Sequence, residues 1–422
     1  MFRSASCLIV SLLVFSGLFG NEFNIARYDI KVDLDSSGNR LVIKATLAIN
    51  QVRCTNLNFN FSDKYTIDSV SGRTILQVSR VNSRMISLKI IRPGPFVFSI
   101  CYHISLDSVI TDNKIINLLR SDRWIPCQYD NISEYNLKVA VPDSYYVLVT
   151  DDPSSRQEVF GNSIYCWELK HISDLPLIIY KKSMFSQYKV NNNGTEITFH
   201  YFTKDEATIQ TIMSNVSGSF NYYNRLFGRH PHTSYNFVEI PGCGYALSYE
   251  GGALIGSNLI YWYKEHEDIR YWPGHELCHQ WIGCGIRFEL ATGDSLRGFI
   301  EEGLTQYLYL KSMGKEFLNE SISQYIEKYN NEICGSSEDL PVTRDMKSKI
   351  LYLKGPVIFH AIARSLSEKK FDTFIEKMFN EYNDRIINSK IFFMELKKYH
   401  NPGEGILSLI SEHHKQLKLL PP

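Results

Sequence analysis

From Ala26 to about Tyr188, apolar and polar residues alternate in short runs separated by turn residues. Tyr28-Asp29-Ile30-Lys31-Val32-Asp33-Leu34-Asp35 alternates strictly. Ser36-Ser37-Gly38-Asn39 then reads as a turn, and Arg40 to Ile49 resumes as a strand. Alternation sends successive side chains to opposite faces of a sheet, so each run has one apolar face to bury. Similar runs recur at 86–91, 96–104, 135–141, 145–149 and 164–169. Together they predict an all-β domain over residues 21–190, most simply an antiparallel sandwich or saddle.

Near Asn191-Asn192-Asn193-Gly194 the period changes. One more strand, 196–202, leads into a helical pattern over 206–226, with Gly228 and Pro231 as stop signals. After Phe237-Val238-Glu239-Ile240-Pro241 comes a loop rich in glycine (Gly242, Gly244, Gly251, Gly252), and helical spacing then dominates. The expected organisation is therefore multidomain α+β, with a mainly helical second domain over 191–422. There are no internal repeats or low-complexity tracts.

The N-terminus reads as an address. Arg3 precedes the apolar run Leu8 to Phe15, and Gly17 and Gly20 follow. This is the layout of a secretory signal peptide over residues 1–20, too short for a comfortable transmembrane helix, and it predicts a secreted or periplasmic protein. No later stretch is apolar for long enough to span a membrane. Lys and Arg number 45 and so do Asp and Glu, with no long block of like charge. That balance argues against nucleic acid or an anionic membrane as partner, since both demand a basic footprint. Nothing in the pattern specifies an oligomeric state. Cys7 would leave with the signal, and no C-x-x-C pair remains to form a cysteine zinc site.

The chemistry begins at His275-Glu276-Leu277-Cys278-His279, which fits H-E-x-x-H. Residues four apart on a helix are neighbours, so both imidazoles can reach one Zn²⁺, with Glu276 beside them. A catalytic zinc site needs a third protein ligand. Ile300-Glu301-Glu302-Gly303 opens a helix-like segment that can supply it, and Asp294 and Glu289 are other oxygen donors nearby in sequence. Adjacent helical residues face about 100° apart. One acid of the pair can thus bind metal while its neighbour answers the helix dipole. Cys278, Trp281 and Tyr307 read as core residues.

These segments resemble the M1 family of zinc aminopeptidases, whose zinc helix reads H-E-x-x-H-x-W-(F/I)-G and whose third ligand lies in N-E-G-(F/L). Tyr352-Leu353-Lys354-Gly355 is similar to the family's Y-x-K-G segment, and Arg123-Trp124-Ile125-Pro126-Cys127 to a segment late in its β domain. The resemblance implies a thermolysin-like catalytic domain with one Zn²⁺ held by His275, His279 and Glu302. It also implies Glu276 as general base and Tyr352 as stabiliser of the oxyanion. The family's G-x-M-E-N segment survives only in altered form at Leu247-Ser248-Tyr249-Glu250-Gly251, where Glu250 would bind the α-amine of a peptide.

The chain departs from the family in two further ways. The 22 residues between His279 and Glu302 make a longer spacer, consistent with a short insertion after Ile286. The sequence ends at Pro422 without the family's long helical domain, so a more open cleft is expected. The expected activity is release of N-terminal residues from peptide substrates. The alternatives are a zinc endopeptidase or oligopeptidase with an open cleft, and a non-catalytic peptide-binding protein on the same fold. A metzincin is excluded, because Gly285 stands where its third ligand would be and Ile282 replaces its Gly.

Overall fold

The computed structural model describes residues 23–399 except 51, 107–114, 229–231, 267–269, 271, 291–293, 335 and 338–349. The expected signal segment lies outside the described residues. The chain divides into two compact units. One comprises Met1–Asp107, Arg120–Pro142 and Ser154–His171. The other comprises Ser108–Leu119, Asp143–Pro153 and Ile172–Pro422.

The first unit is built on a seven-stranded sheet, in the order Ser155–Val159, Asn162–Ile172, Ser133–Pro142, Asn24–Leu34, Arg40–Asn50, Phe96–Ser105 and Thr66–Ser71. Tyr28, Ile30, Val32 and Leu34 are buried while their alternating neighbours face outward, as the sequence period requires. One pairing departs from the antiparallel expectation: Asn24–Leu34 lies parallel to Ser133–Pro142. The long stretch of chain between them supplies the crossover that a parallel pair needs. Tyr28 stacks on Tyr135 across this pair, with ring centroids 4.6 Å apart. Asn56–Asn60, Ile75–Asn82 and Met85–Ile90 form a smaller sheet. The edge strand Ser155–Val159 is exposed along its whole length, so it carries no apolar alternation and escapes a reading by period.

The second unit holds a five-stranded sheet, in the order Ser186–Asn192, Thr195–Tyr201, Ser234–Ile240, Gly252–Gly256 and Ala246–Tyr249. Behind it, Tyr145–Leu148, Leu177–Lys181 and Ile115–Leu118 make a three-stranded sheet from segments that precede the unit's main run. Ile115, Leu148, Ile178 and Tyr180 pack with Val238, Ile240, Tyr249 and Leu254. The change of period near residue 190 falls inside the hairpin Ser186–Asn192/Thr195–Tyr201, within this unit. Periodicity reports local conformation, whereas the core a strand joins is settled by packing.

Among the described residues, eight helices complete the unit: α1 (Glu206–Phe227), α2 (Ser257–Glu265), α3 (Trp272–Cys278), α4 (Thr305–Ser312), α5 (Lys315–Glu332), α6 (Gly355–Leu366), α7 (Glu368–Tyr382) and α8 (Ser389–Lys397). The side chain of Asp205 accepts from the Thr208 amide to cap α1, and Gly228 ends the helix at φ +87°. The apolar stripe of α1 includes Ile209, Ile212, Met213, Val216, Phe220 and Tyr223. It packs on α3, and the Tyr223 hydroxyl donates to the Gly274 carbonyl at 2.9 Å. A single core thus fixes α3 from behind.

Candidate metal centre

His275 lies on α3 and His279 one residue past its end, where the His279 amide still donates to the His275 carbonyl at 3.3 Å. Their Nε2 atoms are 3.2 Å apart. Glu302 Oε2 lies 3.3 Å from one and 3.5 Å from the other. Among the described residues, these three form the one group of His, Cys, Asp and Glu side chains whose ligand atoms converge as a metal site requires. Cys278 points instead into the apolar core with Trp281 and Tyr307, and burial pushes its thiol pKa up. Asp294 accepts from the Ser389 amide and hydroxyl and so fixes the start of α8.

The outer contacts say which nitrogen of each imidazole faces the site. His279 Nδ1 is 3.0 Å from the Ile282 carbonyl, which can only accept. His275 Nδ1 is 2.9 Å from Gln306 Oε1, while Gln306 Nε2 donates to the Tyr325 hydroxyl. Each Nδ1 is therefore the donor, leaving both Nε2 atoms to face Glu302, as metal-binding histidines are normally oriented. Burial works against a charge on His279, but the facing Glu302 carboxylate outweighs it and holds the pKa up at about 10. Burial likewise opposes ionisation of Glu302, yet His279 and His275 keep it well below the usual carboxylate range. Two imidazole nitrogens and a carboxylate oxygen that converge this closely suit a divalent cation. The donor set fits zinc.

Glu301 and Glu302 turn to different partners. Glu301 turns to Arg297 in a 2.8 Å ion pair, and burial raises its pKa. Glu302 and Tyr352 both stand on π-helical turns, Phe299–Leu304 and Ile350–Lys354, and the Tyr352 hydroxyl donates to Glu302 Oε2 at 2.7 Å. Such turns recur at functional sites because the extra residue redirects a side chain. The two turns meet at glycines: a Cβ on Gly355 would lie 2.9 Å from the Gly303 Cα. Gly355→Ala must push the turns apart. It is expected to cost about 1–3 kcal/mol of stability and about a hundredfold in any activity that depends on the pair. Melting temperature and kcat/KM check the two effects separately.

Glu276 is 8 % exposed and outside the ligand group. The Ser248 hydroxyl lies 2.5 Å from Glu276 Oε2 and 2.8 Å from its carbonyl. Ser248 belongs to the edge strand Ala246–Tyr249, which runs beside α3. Gln280 ties the end of that strand to the same region, accepting from the Gly251 amide at 2.8 Å and donating to the Tyr249 carbonyl at 2.9 Å. Gly251 has φ +85°, and a Cβ there would sit 2.0 Å from the Thr150 carbonyl. Glycine at this position therefore answers a backbone requirement.

Glu250 is buried, at 2 % exposed. Its Oε1 accepts from the Ser173 amide at 3.1 Å and hydroxyl at 2.7 Å, and lies 3.2 Å from both Nε and the NH2 nitrogen of Arg287. Arg287 is on the short strand Ile286–Phe288, which pairs with Arg385–Ile387 and also brings Asp384 to within 3.6 Å. This strand lies in the long spacer between the second His and Glu302. Sequence reasoning missed Ser248, Arg287 and Gln306. Gln306 was findable, being four residues past Glu302; Arg287 and Ser248 leave no local signal.

Residues 253–413 match the peptidase family M1 domain. The whole fold is similar to an M1 zinc metallopeptidase from Deinococcus radiodurans, at TM-score 0.68 and 15% identity, covering 95% of both chains. A point mutant of that protein gives 0.69 and 14% over 95% of this chain and 96% of the other. The same mutant bound to a Tyr-Ser-Ala substrate gives 0.69 and 14% over 95% of both. No curated protein matches the chain by sequence. The region that brings His275, His279 and Glu302 together is therefore similar to the peptidase family M1 domain, and the chain shares the fold of M1 zinc metallopeptidases. Its N-terminal β-rich part and helical remainder follow the architecture of those structures.

Proposed function

We propose that the protein releases residues from the N-termini of peptides, with one zinc ion held by His275, His279 and Glu302. The observation that carries this is the convergence of those three side chains, each oriented by its own outer partner, with Glu276 beside them but outside the group. Zinc in such a site supplies Lewis acidity and makes water a nucleophile near neutral pH. Glu276, held by Ser248, accepts a proton from the attacking water and delivers it to the leaving amine. Tyr352, whose hydroxyl reaches Glu302 Oε2, is the donor available to the oxyanion. Glu250, one residue past the end of the strand that carries Ser248, is the carboxylate we assign to the peptide's N-terminus. The leader sequence supports export as the setting.

Zinc content of the purified protein, with hydrolysis of aminoacyl reporter peptides before and after chelation, tests the proposal. A protein that binds no zinc, or hydrolyses nothing when loaded, sinks it. Tyr352→Phe is expected to keep its zinc and lower kcat by about 10²–10³ with little change in KM, because the hydroxyl acts only as charge develops. An unchanged kcat would remove Tyr352 from the mechanism.

A further inference from the structure

We propose that Arg287 sets how strictly this site demands a free N-terminus, by competing with the substrate's ammonium for Glu250. The inference rests on the reading that Glu250 meets the N-terminus. Glu250 Oε1 is already engaged by Ser173 and by two nitrogens of Arg287, itself 6 % exposed. Oε2 is buried and has no hydrogen-bond partner. A buried acceptor without a partner is costly and marks a place where a donor belongs. An incoming ammonium can fill it, but it approaches a carboxylate whose charge a guanidinium already offsets. The coulombic part of the attraction is then largely lost, so a peptide with a blocked N-terminus suffers little by comparison. Without the arginine, the same carboxylate would be buried and uncompensated, and the substrate's ammonium would take the arginine's place.

Arg287 lies in the spacer between His279 and Glu302, on the strand Ile286–Phe288 that pairs with Arg385–Ile387, and from there its guanidinium reaches Glu250. Arg287 therefore acts on the peptide through Glu250. It is a specificity-determining residue that touches no reacting atom.

The test measures binding of a free tripeptide of alanine and of its N-acetyl form to zinc-loaded, full-length Glu276→Gln protein by calorimetry. With Arg287 present, the two dissociation constants should differ by less than about tenfold. Arg287→Met should widen the ratio in favour of the free peptide by about ten- to hundredfold, the scale of one hydrogen bond to a charged group. Arg287→Lys, which keeps a charge and so protects the fold, should widen it a few-fold. If Arg287 merely supported Glu250, both variants would narrow the ratio; narrowing or no change overturns the proposal. Hydrolysis of the free tripeptide by the unmutated protein is read separately. Its absence would sink the proposed peptidase activity while leaving the binding ratio to decide the role of Arg287.

Discussion

Glu276→Gln is expected to give a folded, zinc-loaded protein whose kcat is lower by about 10²–10⁴. The amide matches the carboxylate in size and can still accept from Ser248, whose hydroxyl lies 2.5 Å from Oε2. The surroundings therefore have no reason to rearrange. What the amide cannot do is take a proton from water and pass it on. Glu276 stands outside the converging group of His275, His279 and Glu302, so metal content should stay near that of the unmutated protein. Elemental analysis and kcat, measured on the same preparation, separate the two statements. Turnover that survives with zinc in place would exclude Glu276 as the base. Loss of zinc along with turnover would mean that the residue acts on the metal site itself.

Glu302→Gln should instead abolish activity by emptying the site, weakening zinc by more than the 10- to 100-fold typical of losing an outer partner. Glu302 is the sole anion in the ligand group, and it holds the pKa of His279 at about 10 against the effect of burial. At neutral pH the metal-free protein therefore carries a proton on His279 that zinc must displace. Apparent zinc affinity should rise about tenfold per pH unit between about pH 6 and 8, with about one proton released, because the metal competes with that proton. Calorimetry in buffers of different ionisation heat counts the proton. In Glu302→Gln the anion is gone, His279 returns towards its ordinary range, and the slope should flatten.

The signs for stability of the metal-free protein follow from the same shifts. The His279 pKa is raised, so its contribution is complete below about 6.5, the ordinary value for histidine, and is lost as pH rises through about 10. The Glu302 pKa is lowered, so its contribution is present above its ordinary value of about 4.5 and is lost on acidification towards its lowered value. Metal-free protein should thus be destabilised at both ends of that window. Melting temperatures across the pH range check it.

Much of the fold could be read before any coordinates. Strict alternation at Tyr28–Leu34 and the capped apolar stripe of α1 are local patterns, and each became the expected element. The strands that escaped, such as Ser155–Val159, are exposed edges whose backbone pairing alone holds them, with no apolar face to mark them. Ile115–Leu118 and Tyr145–Leu148 come from the β-rich half of the sequence but pack in the core of the second unit. Their composition is the same whichever core they join.

By itself, the sequence determined the elements of the candidate metal centre, since i,i+4 geometry brings His275 and His279 together and the acid pair at Glu301–Glu302 stands at one turn. Tertiary structure decided the rest, because those groups meet only through long-range packing. The glycine crossing of Gly303 and Gly355 brings Tyr352 to Glu302. The edge strand carries Ser248 to Glu276, and the spacer strand carries Arg287 to Glu250. Which of Glu250's oxygens is taken depends on where three separate backbones lie, and no pattern within any one of them encodes that.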